Sequence, residues 1–345
     1  MGPALAVDVM IVSLGSTAGL RRADEQLEAS LRAAGVGVLA VRASPPAQVR
    51  TLMLTDLAWA RAARAAASRA LATLDGAPPR AIVYSSTTAA LLWPRPGVIR
   101  FDSPSAGNRP GRHGLWQRPL ERLRLRQAPL LLPWSEGALG ELPARAPAGD
   151  RALVLPVAVE PSGDRQAERD IAAVTYAANP AKKGLDRVLG AWRRMRAERP
   201  SAGEELLVAG ASSEELKRAG VQLDGVQGVR ILGALPPQEY RSLLRRARVF
   251  VCAPRREDYG ISQLEALADG CMLVTTPAPG PYAALPIARA IDERLVGEDL
   301  TAGLRAALEE PLHGYAPRAL AALAPFRREA LDRLVAERLL PRLLA

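Results

Sequence analysis

Residues 249–276 read VFVCAPRREDYGISQLEALADGCMLVTT. Val249–Ala253 is a short continuous apolar run, the pattern of a strand buried on both faces. Pro254 ends it, and the polar Arg255–Asp258 follows as a loop. Apolar residues then return at helical spacing, with Ile261, Leu264 and Ala268 recurring every three or four positions. Gly270 closes that helix before a second buried run, Met272–Thr275. Strand, loop, helix, strand at this spacing is the unit from which parallel sheets are built.

The same alternation extends in both directions. Strands are expected at Val7–Ser13, Val36–Arg42, Ala81–Ser85, Val98–Phe101, Pro129–Pro133 and Ala152–Pro156. In the second half they are expected at Ile171–Tyr176, Glu205–Gly210, Val229–Leu232, Val249–Ala253, Met272–Thr275 and Ala288–Ile291. Amphipathic helices separate them: Leu185, Val188, Leu189, Trp192 and Met195 form one apolar stripe, and Tyr240, Leu243, Leu244 and Ala247 another. About twelve strands exceed one compact doubly wound sheet and suit two. The fold class is therefore α/β with two domains. The polar stretch Glu160–Arg169 marks the boundary, giving domains at 1–160 and 161–319, and the helical, basic segment 320–345 is expected to pack back on the first.

Composition narrows the function. The chain has 345 residues, 48% hydrophobic and 24% charged, which is globular rather than disordered. Two cysteines, Cys252 and Cys271, exclude a disulfide framework, and His113 and His313 are too far apart to suggest a metal site, so no metal is expected. Asp292-Glu293 and Glu298-Asp299 read as solvated loops rather than ion ligands. No apolar run reaches membrane-spanning length, and MGPALAVDVMIVSLG lacks the basic start of a signal peptide, so a cytoplasmic protein is expected. The net charge is +10, and residues 95–126 hold eight arginines against Asp102 and Glu121. That segment is expected to meet an anionic acceptor or membrane surface, giving peripheral attachment, with no nucleic acid as partner. Only three of the 46 basic residues are lysines, so the pair Lys182-Lys183 stands out.

Two loops could carry chemistry. The first strand runs into Ser13-Leu14-Gly15-Ser16-Thr17-Ala18-Gly19 and then a helix, which places backbone N–H groups where an anion can sit. The spacing is not G-x-G-x-x-G and no acid ends the second strand, so a dinucleotide fingerprint is absent. In the 249–276 stretch, Glu257 precedes a helix N-terminus at Tyr259-Gly260-Ile261, and Glu265 lies on that helix four residues beyond Ile261. An anion site between two carboxylates matches a sugar nucleotide, in which a diphosphate separates two sets of hydroxyls.

EDYGISQLEALADG resembles the Glu-x7-Glu motif of retaining GT-B glycosyltransferases of family 4, whose usual form is E-G-F-G-x-x-x-x-E-A-M-A-x-G. Lys183-Gly184-Leu185-Asp186 resembles the family's K-G-x-D, and Val229–Gly233 its V-x-F-L-G; Ala18-Gly19 stands where the family has Gly-Gly. The resemblance is strong over about residues 170–280 and mostly architectural over 1–160. It implies two Rossmann-like domains facing a cleft and a retaining transfer of a hexosyl unit from a nucleotide-diphosphate sugar, with no cofactor required. It also implies roles: Glu257 on the donor sugar, Glu265 on the ribose, and the backbone of Tyr259, Gly260 and Ile261 on phosphate. Lys183 would stabilise the leaving diphosphate, Gly19 would approach it, and backbone at Gly233 would touch the base. On the acceptor side it leaves Asp102, Arg109, Arg112 and His113, with Asp102 the candidate for a catalytic part. Ala178 stands where the family has an arginine. A non-catalytic binding or scaffold subunit, or another GT-B enzyme such as a sugar-nucleotide epimerase, therefore stays open as an alternative.

Overall fold

The structure is a computed structural model describing residues 7–47, 49, 51–74, 78–109, 111–143, 149–164, 169–198, 203–223 and 226–345. Residues 165–168, part of the expected boundary stretch, lie outside the described residues. The chain divides into two compact units: residues 1–158 with 326–345, and residues 159–325.

The first unit is built on a parallel sheet of β1 (Val9–Ser13), β2 (Val38–Arg42), β3 (Ala81–Tyr84), β4 (Val98–Phe101) and β5 (Leu131–Pro133), in the order β2-β1-β3-β4-β5. Every residue of β1 is buried, as its unbroken apolar run requires. On one face, Leu27 and Leu31 of the helix Ala18–Ala33 pack with Leu331, Val335, Leu339 and Leu343 of the C-terminal helical segment. These four recur every fourth residue, so the apolar stripe explains why residues 326–345 belong to this unit.

The second unit repeats the plan with β6 (Ile171–Tyr176), β7 (Leu206–Ala209), β8 (Val229–Gly233), β9 (Ala247–Cys252) and β10 (Met272–Thr275), in the order β10-β9-β6-β7-β8. Val188, Leu189, Trp192 and Met195 are all buried on the helix Leu185–Glu198. The helix Tyr315–Ala322 runs through residue 319, and the change of unit falls after Pro325.

Among the described residues ten strands form rather than twelve. Leu153 and Leu155 donate to Leu131 O at 2.9 Å and Pro133 O at 2.8 Å, so Ala152–Pro156 runs beside β5. Pro133 has no N–H to return the bond that a ladder would need there, and only an isolated bridge results. Ala288–Ile291 is helical, within Ala284–Ile291, with Ala284 and Ala288 buried one turn apart. A short apolar run does not by itself distinguish the two.

Half of the arginines between 95 and 126 are tied into the fold. Arg100 is fully buried, its Nη1 donating to Ala23 O at 2.9 Å with its guanidinium 5.1 Å from the Trp134 ring centre. Arg124 donates to Leu91 O at 2.9 Å and lies 5.0 Å over Trp93. Arg118 donates to Gly111 O and Gly114 O. Arg95, Arg112, Arg122 and Arg126 remain exposed. The other four, Arg100, Arg109, Arg118 and Arg124, are engaged by carbonyl groups, ring faces and the buried Asp56.

Glu121 is also internal, and both its oxygens accept from Ser105 N, at 2.9 and 3.1 Å. Burial pushes its carboxyl above the ordinary 4.5, against the hydrogen bonds from Thr87 and Ser105. A raised pKa means the folded state binds the proton more tightly, so this group's stability contribution falls as pH rises above the ordinary value. Glu121→Gln, neutral at every pH, should therefore lose least relative to the parent at high pH. Melting temperatures of both proteins from pH 4.5 to 7.5 check this; a deficit that grows with pH contradicts it.

Candidate active site

In open α/β sheets, ligands bind beyond the carboxyl ends of the strands where the strand order reverses. In the second sheet the chain goes from β6 outward to β7 and β8, then returns to place β9 on the other side of β6. The switch point is therefore between β6 and β9. The loop after β6 carries Lys182 and Lys183; the loop after β9 carries Glu257 and Asp258.

The two loops are locked together. Gly184 has a left-handed backbone, and a Cβ there would fall 1.9 Å from Ala253 O, so only glycine permits this approach. Arg255 N donates to Lys182 O at 2.9 Å. Adjacent lysines then meet adjacent acids: Lys183 Nζ is 2.6 Å from Glu257 Oε2, and Lys182 Nζ is 2.6 Å from Asp258 Oδ2. Arg256 Nε reaches the other Asp258 oxygen at 3.1 Å. Burial acts to raise the Asp258 carboxyl, but Lys182 and Arg256 override it and hold the group below its ordinary 3.8.

Behind Glu257 the loop Thr276–Tyr282 forms a second wall. Glu257 N donates to Pro279 O at 3.0 Å, and Ala283 N to Tyr259 O at 3.0 Å. Tyr282 and Thr275 share a hydrogen bond of 2.8 Å, and Cys252 Sγ lies 3.3 Å from Thr275 Oγ1. Cys252 and Cys271 are buried and free, as expected of small apolar residues; burial pushes the Cys271 thiol up to about 12.

Gly260, also left-handed, caps the helix Ile261–Ala268, with no side chain bonded to the cap. Its first-turn N–H groups are thus available to an anion. Glu265 is buried one turn on, its Oε1 3.6 Å from Arg241 Nη1. Arg241 grips Asp269 with two bonds, at 2.6 and 2.9 Å, and donates to Glu160 O at 2.6 Å. Arg241, from the preceding helix Pro237–Arg246, thus faces Glu265 across the helix pair. No local spacing signals that pairing. Gly233 ends β8 with a left-handed backbone, and its carbonyl accepts from Gly210 N at 2.7 Å.

In the first sheet the reversal lies between β1 and β3. Gly19 sits at this unit's own switch point, half-buried in the first turn of Ala18–Ala33, whose N-cap Thr17 accepts from Leu20 N. Asp102 follows β4, half-buried, with Oδ1 accepting from Ser103 N at 2.8 Å. Arg109 is bonded to Asp56 through two contacts, at 2.6 and 3.1 Å. Arg112 and His113 are exposed on the short turn Gly111–Gly114. Within the second unit the structure brings Lys183, Glu257, Tyr259, Gly260 and Ile261 into one neighbourhood. Asp292 is bonded to Arg294, and Asp299 caps the helix Leu300–Glu309.

Residues 168–312 match the family model described as glycosyl transferases group 1. No curated protein matches the sequence. Among solved structures the chain is similar to WaaG, a glycosyltransferase involved in lipopolysaccharide biosynthesis, with 15% identity, 95% of this chain and 99% of that one covered, and a TM-score of 0.72. It is similar to sucrose-phosphate synthase from Thermosynechococcus elongatus, with 14% identity, 97% and 98% covered, and a TM-score of 0.70. It is also similar to HepE from Anabaena, solved in complex with UDP and glucose, with 13% identity, 96% and 99% covered, and a TM-score of 0.67. Residues 168–312 thus match a glycosyltransferase family model, and the chain as a whole has the fold that these structures share.

Proposed function

We propose that the chain is a retaining hexosyltransferase whose donor, a nucleotide-diphosphate sugar, is held by the second unit. The observation that carries this is the Lys183–Glu257 pair, placed at the strand-order reversal beside an uncapped helix N-terminus. Phosphate binds the N–H groups at Gly260 and Ile261 with the Tyr259 backbone, Lys183 the diphosphate, Glu257 the sugar hydroxyls, Glu265 the ribose, and the Gly233 backbone the base. As the bond from anomeric carbon to phosphate oxygen breaks, negative charge builds on the leaving diphosphate, and Lys183 stabilises it. The acceptor oxygen bonds to that carbon from the same face, and its proton passes to the leaving phosphate. No cofactor enters this reaction.

The acceptor is assigned to the first unit, with Asp102 beside the reacting hydroxyl and Arg112 and His113 as outer contacts. Arg109 is spent on Asp56. The exposed arginines at 95, 112, 122 and 126, with exposed Leu115 and Leu123, support peripheral contact with an anionic membrane. Among the described residues no helix is long and apolar enough to cross one. Co-sedimentation with vesicles of rising anionic lipid content should show binding that weakens with salt; binding indifferent to lipid charge rejects the membrane reading.

A labelled donor panel of UDP, GDP and ADP sugars tests the function itself. Transfer or hydrolysis supports the enzyme. Donor binding without turnover supports the scaffold alternative, which Ala178 in place of the family's arginine favours. Glu265→Ala should weaken nucleoside-diphosphate binding by about 1.5–3 kcal/mol, the worth of a hydrogen bond to a charged group. Unchanged affinity in a calorimetric titration removes Glu265 from the ribose site.

A further inference from the structure

Gln263 lies in the first turn of the helix Ile261–Ala268 and is 1% exposed. A polar side chain buried so fully is costly unless bonded. Its Nε2 donates to Glu257 Oε2 at 2.9 Å, and its Oε1 accepts from Ser262 Oγ at 2.8 Å. The first bond sets the amide's orientation, since only the nitrogen can donate to a carboxylate. Lys183 Nζ reaches the same Oε2 at 2.6 Å. Two donors converge on one oxygen, and Glu257 Oε1 accepts no hydrogen bond among the described residues.

The two donors differ in what can take them away. Lys183 is a cation on a flexible stem, and a diphosphate competes for it directly. Gln263 is neutral, rooted in a helix and shielded from solvent, so no anionic ligand draws it off. We propose that Gln263 is a positioning residue for donor-sugar recognition: it holds Glu257 Oε2 when the diphosphate engages Lys183, so that Oε1 stays the oxygen offered to the sugar hydroxyls. This inference rests on the assignment of Glu257 to the donor sugar.

The test compares each nucleoside diphosphate with its sugar nucleotide by calorimetry, using UDP and UDP-glucose, GDP and GDP-mannose, ADP and ADP-glucose, and continues with the pair that binds the parent. Gln263→Met keeps the length of the side chain and removes the donor. It should weaken the sugar nucleotide about 10- to 100-fold, the worth of a hydrogen bond to a charged group, and leave the bare diphosphate within about twofold. Gln263→Glu places two carboxylates together, so one takes up a proton as pH falls and becomes a donor again. Its sugar-nucleotide affinity should recover towards the parent at acid pH. The other titratable groups around Glu257 are Lys183, Cys252 and Tyr282; burial raises the last two, and both stay neutral over that range. Equal weakening of both ligands by Gln263→Met, or weakening of neither, overturns the inference if Glu257→Ala still weakens only the sugar nucleotide. If Glu257→Ala spares the sugar nucleotide too, the assignment of Glu257 has failed, and this inference falls with it.

Discussion

Lys183→Ala should lower turnover at saturating donor by about 100- to 1,000-fold, the range seen when one preorganised group facing developing charge is removed. The choice among donor sugars should be unchanged, because the ammonium faces the leaving group and not the sugar. Glu257→Ala should damage both turnover and donor choice. The geometry makes the distinction sharp. Lys183 is 19% exposed at its side chain and meets the inner acid, whereas Lys182 is 42% exposed and shares Asp258 with Arg256. Turnover and kcat/KM across the donor panel separate binding from transition-state effects. Parent-like turnover in Lys183→Ala would transfer the role to Lys182 or Arg256.

Gly184→Ala should cost at least about 4 kcal/mol of stability, the exceptional end for a single substitution. A left-handed conformation is by itself expensive for alanine, and here the new Cβ would fall 1.9 Å from Ala253 O and 2.8 Å from Ala253 C. Both contacts are with backbone, so no side chain can swing aside. The loop after β6 would have to move away from the loop after β9, taking Lys182 and Lys183 from Asp258 and Glu257. Urea unfolding gives the stability change, and donor titration of the folded fraction gives the binding change. A midpoint close to the parent's, with donor affinity intact, rejects the close approach of the two loops.

The parallel α/β plan was legible because strands buried on both faces must be apolar throughout and helices must carry one stripe. Val9–Ser13 and Ile171–Tyr176 are of the first kind and Leu185–Glu198 of the second. The misreadings fall where local pattern is weakest. Ala288–Ile291 is too short for its period to separate helix from strand, and Ala152–Pro156 lies against a proline that cannot return its hydrogen bond. Composition counts the eight arginines between 95 and 126 alike, and only the structure separates the four exposed ones from the four engaged by carbonyls, rings and Asp56.

The sequence by itself determined which residue types stand at each strand end: a lysine pair and glycine after β6, two acids and a glycine-capped helix after β9. These depend on neighbours a few positions apart along the chain. Only the tertiary structure decided the pairings. Lys183 meets Glu257 at a sequence separation of 74, and Arg241 meets Asp269 at one of 28. Gln263 became notable only once Glu257 was found above it. The reversal of strand order puts β9 beside β6, and that adjacency is a property of the sheet, since no short-range pattern along the chain records which strand will be a neighbour.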